Sequence, residues 1–86
     1  MIQVRVGELA GTLETLEGEV VTLRLDGSVA PGAPKTMIAL LEDGALELQG
    51  KCVGGRRHGE GVFVVQFRLT NLRRQVRKTL SDALKI

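Results

Sequence analysis

Aromatic residues are almost missing from this chain of 86 residues, which has two phenylalanines, no tyrosine and no tryptophan. Modules that bind single-stranded nucleic acid stack the bases on exposed aromatic rings, and this chain has very few rings to offer. The formal net charge is only +2, which is too small for a general binder of polyanions. We therefore expect no nucleic-acid partner, and a small basic RNA-binding barrel is the weakest of the functional alternatives.

Cysteine and histidine occur once each, as Cys52 and His58. A single cysteine excludes an internal disulfide and a thiolate zinc cluster, and its alternating surroundings predict a buried structural thiol. A single histidine gives no metal-binding pair and no nucleophile–base constellation. The acidic residues fall in strand and turn patterns, so we interpret them as side chains on solvated faces and not as catalytic acids or bases. The sequence therefore predicts a protein that is not an enzyme and has no cofactor and no metal site.

Long apolar runs are also missing, and no window approaches the roughly 20 apolar residues of a membrane span. The N-terminal residues alternate like a strand and lack the apolar stretch of a signal peptide. We expect a cytoplasmic protein with no membrane insertion.

The first 69 residues alternate between apolar and polar side chains, and this alternation predicts strands. The strand patterns cover residues 1–6, 10–16, 19–25, 35–41, 45–53 and 62–69. Between them we predict turns at Asp26-Gly27 and at residues 42–44, a proline-containing loop at 28–34 and a glycine-rich hairpin loop at 54–61. Strands of this spacing indicate a small β-barrel or a strongly curved sheet.

The pattern changes after residue 69 to helical spacing, with apolar residues at Leu72, Val76 and Leu80. This spacing predicts a helix over about 71–84, with Thr70 or Asn71 as its N-cap. The apolar stripe needs a sheet or a partner to cover it. We find no domain boundary, so residues 1–86 are predicted to form a single domain.

The part of the chain from residue 46 onward resembles the C-terminal half of a PilZ domain. The resemblance is carried by the strand pattern at 46–53, the Val64-Val65-Gln66-Phe67 segment, and the helix with Leu72 and Leu80. The proline-containing loop before Lys35 also suits that family. The resemblance implies a mainly β fold, a small six-stranded antiparallel β-barrel with one C-terminal α-helix. It also implies cyclic di-GMP as the usual ligand.

The chain departs from both ligand motifs of the PilZ family. The family's Arg-x-x-x-Arg element has no counterpart, because only Arg5 lies near the first strand. The Asp/Asn-x-Ser-x-x-Gly element has only a degenerate remnant in Leu13, Thr15 and Gly18, with negative charge from two nearby glutamates. We therefore expect no cyclic di-GMP site and interpret the chain as an adaptor that acts through protein contacts, in motility, pilus or secretion control.

Basic residues mark the candidate interaction surface, which comprises Arg56, Arg57, Arg73, Arg74, Arg77 and Lys78. For the first two, a phosphate cradle in the glycine-rich loop is the functional interpretation, and we favour a plain solvated hairpin tip. For the other four, a docking face and an ordinary solvated helix face are equally supported. A divergent nucleotide receptor using these residues is the main alternative function. Val62 and Val64 should be covered by the helix, with self-association as the alternative.

Overall fold

A computed structural model describes residues 2–42, 44–70 and 72–84 of the protein. These residues form six strands and one helix in the following chain order: β1 (Ile2–Val6), β2 (Leu9–Glu17), β3 (Val20–Leu25), β4 (Pro34–Leu41), β5 (Gly44–Arg57), β6 (Phe63–Thr70) and α1 (Arg74–Leu84).

The six strands close into an antiparallel barrel with the neighbour order β1-β2-β3-β6-β5-β4. Closure is made by β1 and β4, where Gln3 lies opposite Leu40 and Val6 opposite Met37. Closure pairs each strand with two neighbours, so an edge is left only where one strand extends beyond the next. The prediction of a mainly β, six-stranded antiparallel barrel with one C-terminal helix is confirmed.

The barrel interior is filled by the inward residues of the alternating strands. Phe67, Leu13 and Leu23 are among the largest side chains with no measurable exposure. Cys52 is 2% exposed, as its parity predicts, and its Sγ lies 3.6 Å from the carbonyl oxygen of Val29. Within the described ranges no polar or charged side chain is buried, so the interior is an apolar packed core.

The two ends of the barrel are covered by different elements. At one end lie the β2–β3 turn and the last residues of β6, and α1 crosses this end with Leu80 completely buried. At the other end β3 finishes and β6 starts, and the loop formed by residues 26–33 lies there with Val29 packed against the core. We call these the helix end and the loop end.

The predicted glycine-rich loop at 54–61 is wrong in its first half. β5 continues through Gly54 to Arg57, and these residues pair with β6 from Gln66 to Phe63. Only residues 58–62 form the connection, closed by the amide of His58 donating to the carbonyl of Val62 at 2.7 Å. The glycines favour a loop locally, but a paired neighbouring strand supplies hydrogen bonds that outweigh this preference.

The helix begins later than predicted, at Arg74. Thr70 is not its N-cap, because it is the last residue of β6 and its Oγ1 donates to the carbonyl of Gln49 at 3.3 Å. Asn71, the other predicted cap, lies outside the described residues, as does Asp43 of the predicted 42–44 turn. The periodicity that starts at Leu72 therefore includes residues before the first helical turn.

Candidate functional site

The six predicted surface residues do not form one surface. Arg56 and Arg57 are the last two residues of β5, at the loop end. The other four belong to α1 or immediately precede it, at the helix end. The strands of the barrel separate the two groups, so a single ligand of small size cannot contact both.

Arg77 is used within the protein. Its Nη1 donates to the carbonyl of Gly18 at 2.7 Å, which fastens α1 to the β2–β3 turn. A charge-assisted bond of this kind fixes the position of the helix across the barrel end. Arg73, Arg74 and Lys78 are exposed beside it and take part in no ion pair among the described residues.

The three residues that resemble part of the PilZ ligand motif are dispersed by the strand geometry. Leu13 points inward and has no measurable exposure, whereas Thr15 is exposed after a register shift between the two residues. Gly18 lies in the following turn with φ of 62°. Between them Glu14 accepts from the Nε of Arg24 at 2.9 Å, so its charge is already paired.

Formal charge is divided unevenly along the chain. Residues 1–48 hold three basic and eight acidic side chains, a net charge of −5, whereas residues 49–86 hold nine basic and two acidic side chains, a net charge of +7. Since β5 and β6 are neighbours in the barrel, the basic part of the chain is also contiguous in space. An asymmetry of this size gives this part of the surface a positive electrostatic potential.

Two basic residues at the centre of this region were missed by the sequence analysis. Lys51 on β5 lies directly opposite Arg68 on β6, and both side chains are exposed. Like charges in direct cross-strand pairs destabilise a sheet, so the pair has a cost that no described acidic partner offsets. The charge asymmetry between the two parts of the sequence was the signal that could have found them.

Exposed apolar surface accompanies these charges. Val53 is 48% exposed because the β5–β6 register shifts between Cys52 and Gly54. Val64, opposite Arg56, is half-buried on the same outer surface. We call this surface the β5–β6 face, defined by the five outward residues Lys51, Val53, Arg56, Val64 and Arg68.

The expectation that the helix covers Val62 and Val64 is wrong. Val64 is flanked by Arg24 and Arg56 toward the loop end, whereas α1 lies across the helix end. Val62 is half-buried in the connection before β6. Val64 is therefore only partly shielded by neighbouring strand residues and leaves apolar area on the β5–β6 face.

The cavities among the described residues are open grooves on the surface. One of about 570 Å³ lies between α1 and the β1 and β4 strands, and it is lined by Ile2, Leu40 and Ala83 among others. Among the described residues, no group of three His, Cys, Asp or Glu side chains could hold a metal ion. In the same ranges, no helix has the length and apolar character needed to cross a membrane.

The fold and surface together define a closed antiparallel β-barrel with one helix-covered end and a basic, partly apolar sheet face. No family model, no curated protein and no solved structure matches this chain.

Proposed function

We propose that this protein is a PilZ-like adaptor, a non-catalytic bacterial regulatory protein that does not bind cyclic di-GMP. In this proposal it acts in the cytoplasm through contacts with other proteins, in the control of motility, pili or secretion. The support is the resemblance in residues 46–84 together with a six-stranded barrel and a C-terminal helix.

The burial of Leu13 carries the proposal that the ligand is not bound. In the PilZ motif this position holds an aspartate or asparagine, whose polar atoms approach the ligand. Here the side chain has no measurable exposure and belongs to the core. An acidic or amide side chain in its place would be buried without a partner, which is costly. Glu17, exposed at the end of the same strand, adds negative charge, which repels a phosphodiester.

The β5–β6 face supports the protein-contact part of the proposal. Protein interfaces combine apolar residues with arginine, which contributes both packing area and charge-assisted hydrogen bonds. Val53 and Val64 supply exposed apolar area, and Arg56 and Arg68 flank them on the same face. The face offers no exposed aromatic ring, since Phe67 is buried and Phe63 half-buried.

Isothermal titration calorimetry with cyclic di-GMP at physiological salt tests the proposal. We expect no heat of binding at high protein concentration, with a PilZ protein of intact motifs as the positive control. Micromolar or tighter binding would refute the proposal and support the alternative of a divergent nucleotide receptor. Arg5, Arg56 and Arg57 would then be the first residues to substitute.

A further inference from the structure

β5 is longer than the strand beside it, and this leaves part of its edge free. Its pairing with β4 stops where Lys51 lies opposite Pro34. The next backbone contacts on that side come from the 26–33 loop. Gly32 donates to the carbonyl of Cys52 at 2.6 Å, and Cys52 donates to Ala33 at 3.1 Å. Residues 54–57 then pair with β6 alone, and no described segment pairs with their other side.

The hydrogen-bonding alternation of an antiparallel pair identifies which groups point to the free side. His58 donates to Val62, so this pair is hydrogen-bonded across the hairpin. Counting back along β5, Arg56 is then hydrogen-bonded to β6, whereas Gly55 and Arg57 are not. The amides and carbonyls of Gly55 and Arg57 therefore point away from β6, toward the free edge.

This edge is accessible to another chain. Gly54 and Gly55 carry no side chains to cover the backbone, and residues 55–57 are all exposed. A cleft of about 190 Å³ separates the edge from the 26–33 loop, with Val29 and Pro31 on the loop side. An exposed strand edge is a template for adding a further strand, and proteins often bind extended peptides in this way.

We propose that the free edge of β5 at residues 54–57 binds an extended acidic segment of a partner protein as an added strand. The segment would pair with the outward amides and carbonyls of Gly55 and Arg57, and its carboxylates would meet the arginines at positions 56 and 57. This proposal rests on the proposed function, because it assigns a site and a partner chemistry to the same protein contacts.

Charge favours an acidic strand over two other possible occupants of the edge, a second copy of this chain and RNA. A second copy pairing edge to edge would bring Arg56 and Arg57 of both copies together, and like charges across a strand pair are unfavourable. RNA would require base-stacking rings, which this edge does not offer, because Phe63 beside it is half-buried. An acidic strand satisfies both the backbone groups and the uncompensated positive charge of residues 49–86.

The test is an NMR titration of the isotope-labelled full chain with a capped peptide of about eight residues, the length of an ordinary strand, in which pairs of glutamates alternate with pairs of threonines so that both faces carry carboxylates. We expect the amide protons of Gly55 and Arg57 to become protected from exchange with water. The matched peptide with glutamine in place of glutamate should bind about tenfold more weakly, because the charge attraction is lost.

Variants separate the strand pairing from charge attraction alone. Arg57→Pro removes the outward amide together with the charge, whereas Arg57→Ala removes the charge and keeps the amide. Proline is tolerated on an edge where the amide faces away from the sheet. We expect Arg57→Pro to bind the peptide about fivefold more weakly than Arg57→Ala, the factor for one lost hydrogen bond.

Two charge-reversal variants form a second matched comparison. Arg56→Glu should weaken peptide binding about tenfold, whereas Arg5→Glu, the same charge change on β1, should leave it nearly unchanged, because β4 separates β1 from β5 and Arg5 is level with Glu47 rather than with the free edge. Spectra of the free variants check that each one folds. If Arg5→Glu weakens binding equally, or Gly55 and Arg57 stay unprotected, the proposal is wrong.

Other occupants give distinct results. Tighter binding of oligouridylate with a steep salt dependence would overturn the proposal in favour of RNA. Protection of Gly55 and Arg57 that rises with protein concentration alone would overturn it in favour of a second copy. Binding of cyclic di-GMP would refute the proposed function itself. If the amides of Gly55 and Arg57 stay unprotected and cyclic di-GMP does not bind, only the strand-addition site is refuted, and the proposed function stands.

Discussion

The two ends of the barrel are covered by different means. At the helix end α1 buries Leu80 completely and packs Val76 and Leu84 against the core, where Leu72, just before the helix, also packs. At the loop end, residues 26–33 contribute only Val29 to the core and are held mainly by hydrogen bonds. Asp26 makes two of these bonds with the backbone of Ala10, both of 3.0 Å.

The difference shows that a barrel end can be covered by apolar packing or by backbone pairing. Burial of a whole leucine contributes on the order of 2 kcal/mol or more, whereas a hydrogen bond exposed to water contributes about 1 kcal/mol or less. The helix end should therefore carry more of the stability. The loop end carries less, and it is also where the edge of β5 is free.

The largest effect is expected at the helix end, from Leu80→Ala. Removing a completely buried leucine leaves a cavity, and such changes cost about 3 kcal/mol. Urea denaturation of the purified variant measures the loss. Lys78→Ala is the control, since Lys78 is exposed on the same helix. A loss of less than about 1 kcal/mol for Leu80→Ala would mean that α1 is not part of the cooperative core.

A smaller effect is expected at the loop end, from Val29→Ala. Val29 is half-buried and packs on the core, so its truncation should cost about 1 kcal/mol. The same denaturation experiment measures it, with the exposed neighbour in Ser28→Ala as the control. A cost equal to that of Leu80→Ala would contradict the distinction between the two ends.

The smallest effect is expected from Asp26→Ala, which removes the carboxylate oxygen that accepts from the amide of Ala10. Because Asp26 is exposed, water replaces much of this bond, and we expect a loss of roughly 0.5 kcal/mol. Asp26→Asn keeps an acceptor oxygen and should restore most of the stability. Amide exchange at Ala10 offers an independent measurement, and unchanged exchange in Asp26→Ala would show that this bond does not hold the loop.

The alternation in the sequence predicted most of the barrel correctly. β1 and β3 bury their apolar face as predicted, because a one-residue shift would expose every core side chain. At residues 54–57 the prediction failed, because the local sequence favours a loop and contains no information about β6, the distant strand with which these residues pair. At the start of α1, the apolar spacing from Leu72 onward could not show where the helical hydrogen bonds begin.

The candidate site was only partly accessible from the sequence. The sequence identified Arg56 and Arg57 as unusual, but it joined them to helix residues that lie at the other end of the barrel. It also left out Lys51 and Arg68, which are 17 positions apart in the chain and opposite each other in the sheet. Cross-strand neighbours depend on register, and single residues in a sequence do not reveal register across a long connection.

The sequence by itself determined which side chains face the core, since period-two alternation leaves a strand only one apolar side. It also determined that a helix with an apolar stripe would follow the strands. Only the tertiary structure decided the pairing order of the strands, the separation of the basic residues between the two ends of the barrel, and the length by which β5 extends beyond β4. These features depend on contacts between distant segments, and those contacts form only when the whole chain closes the barrel.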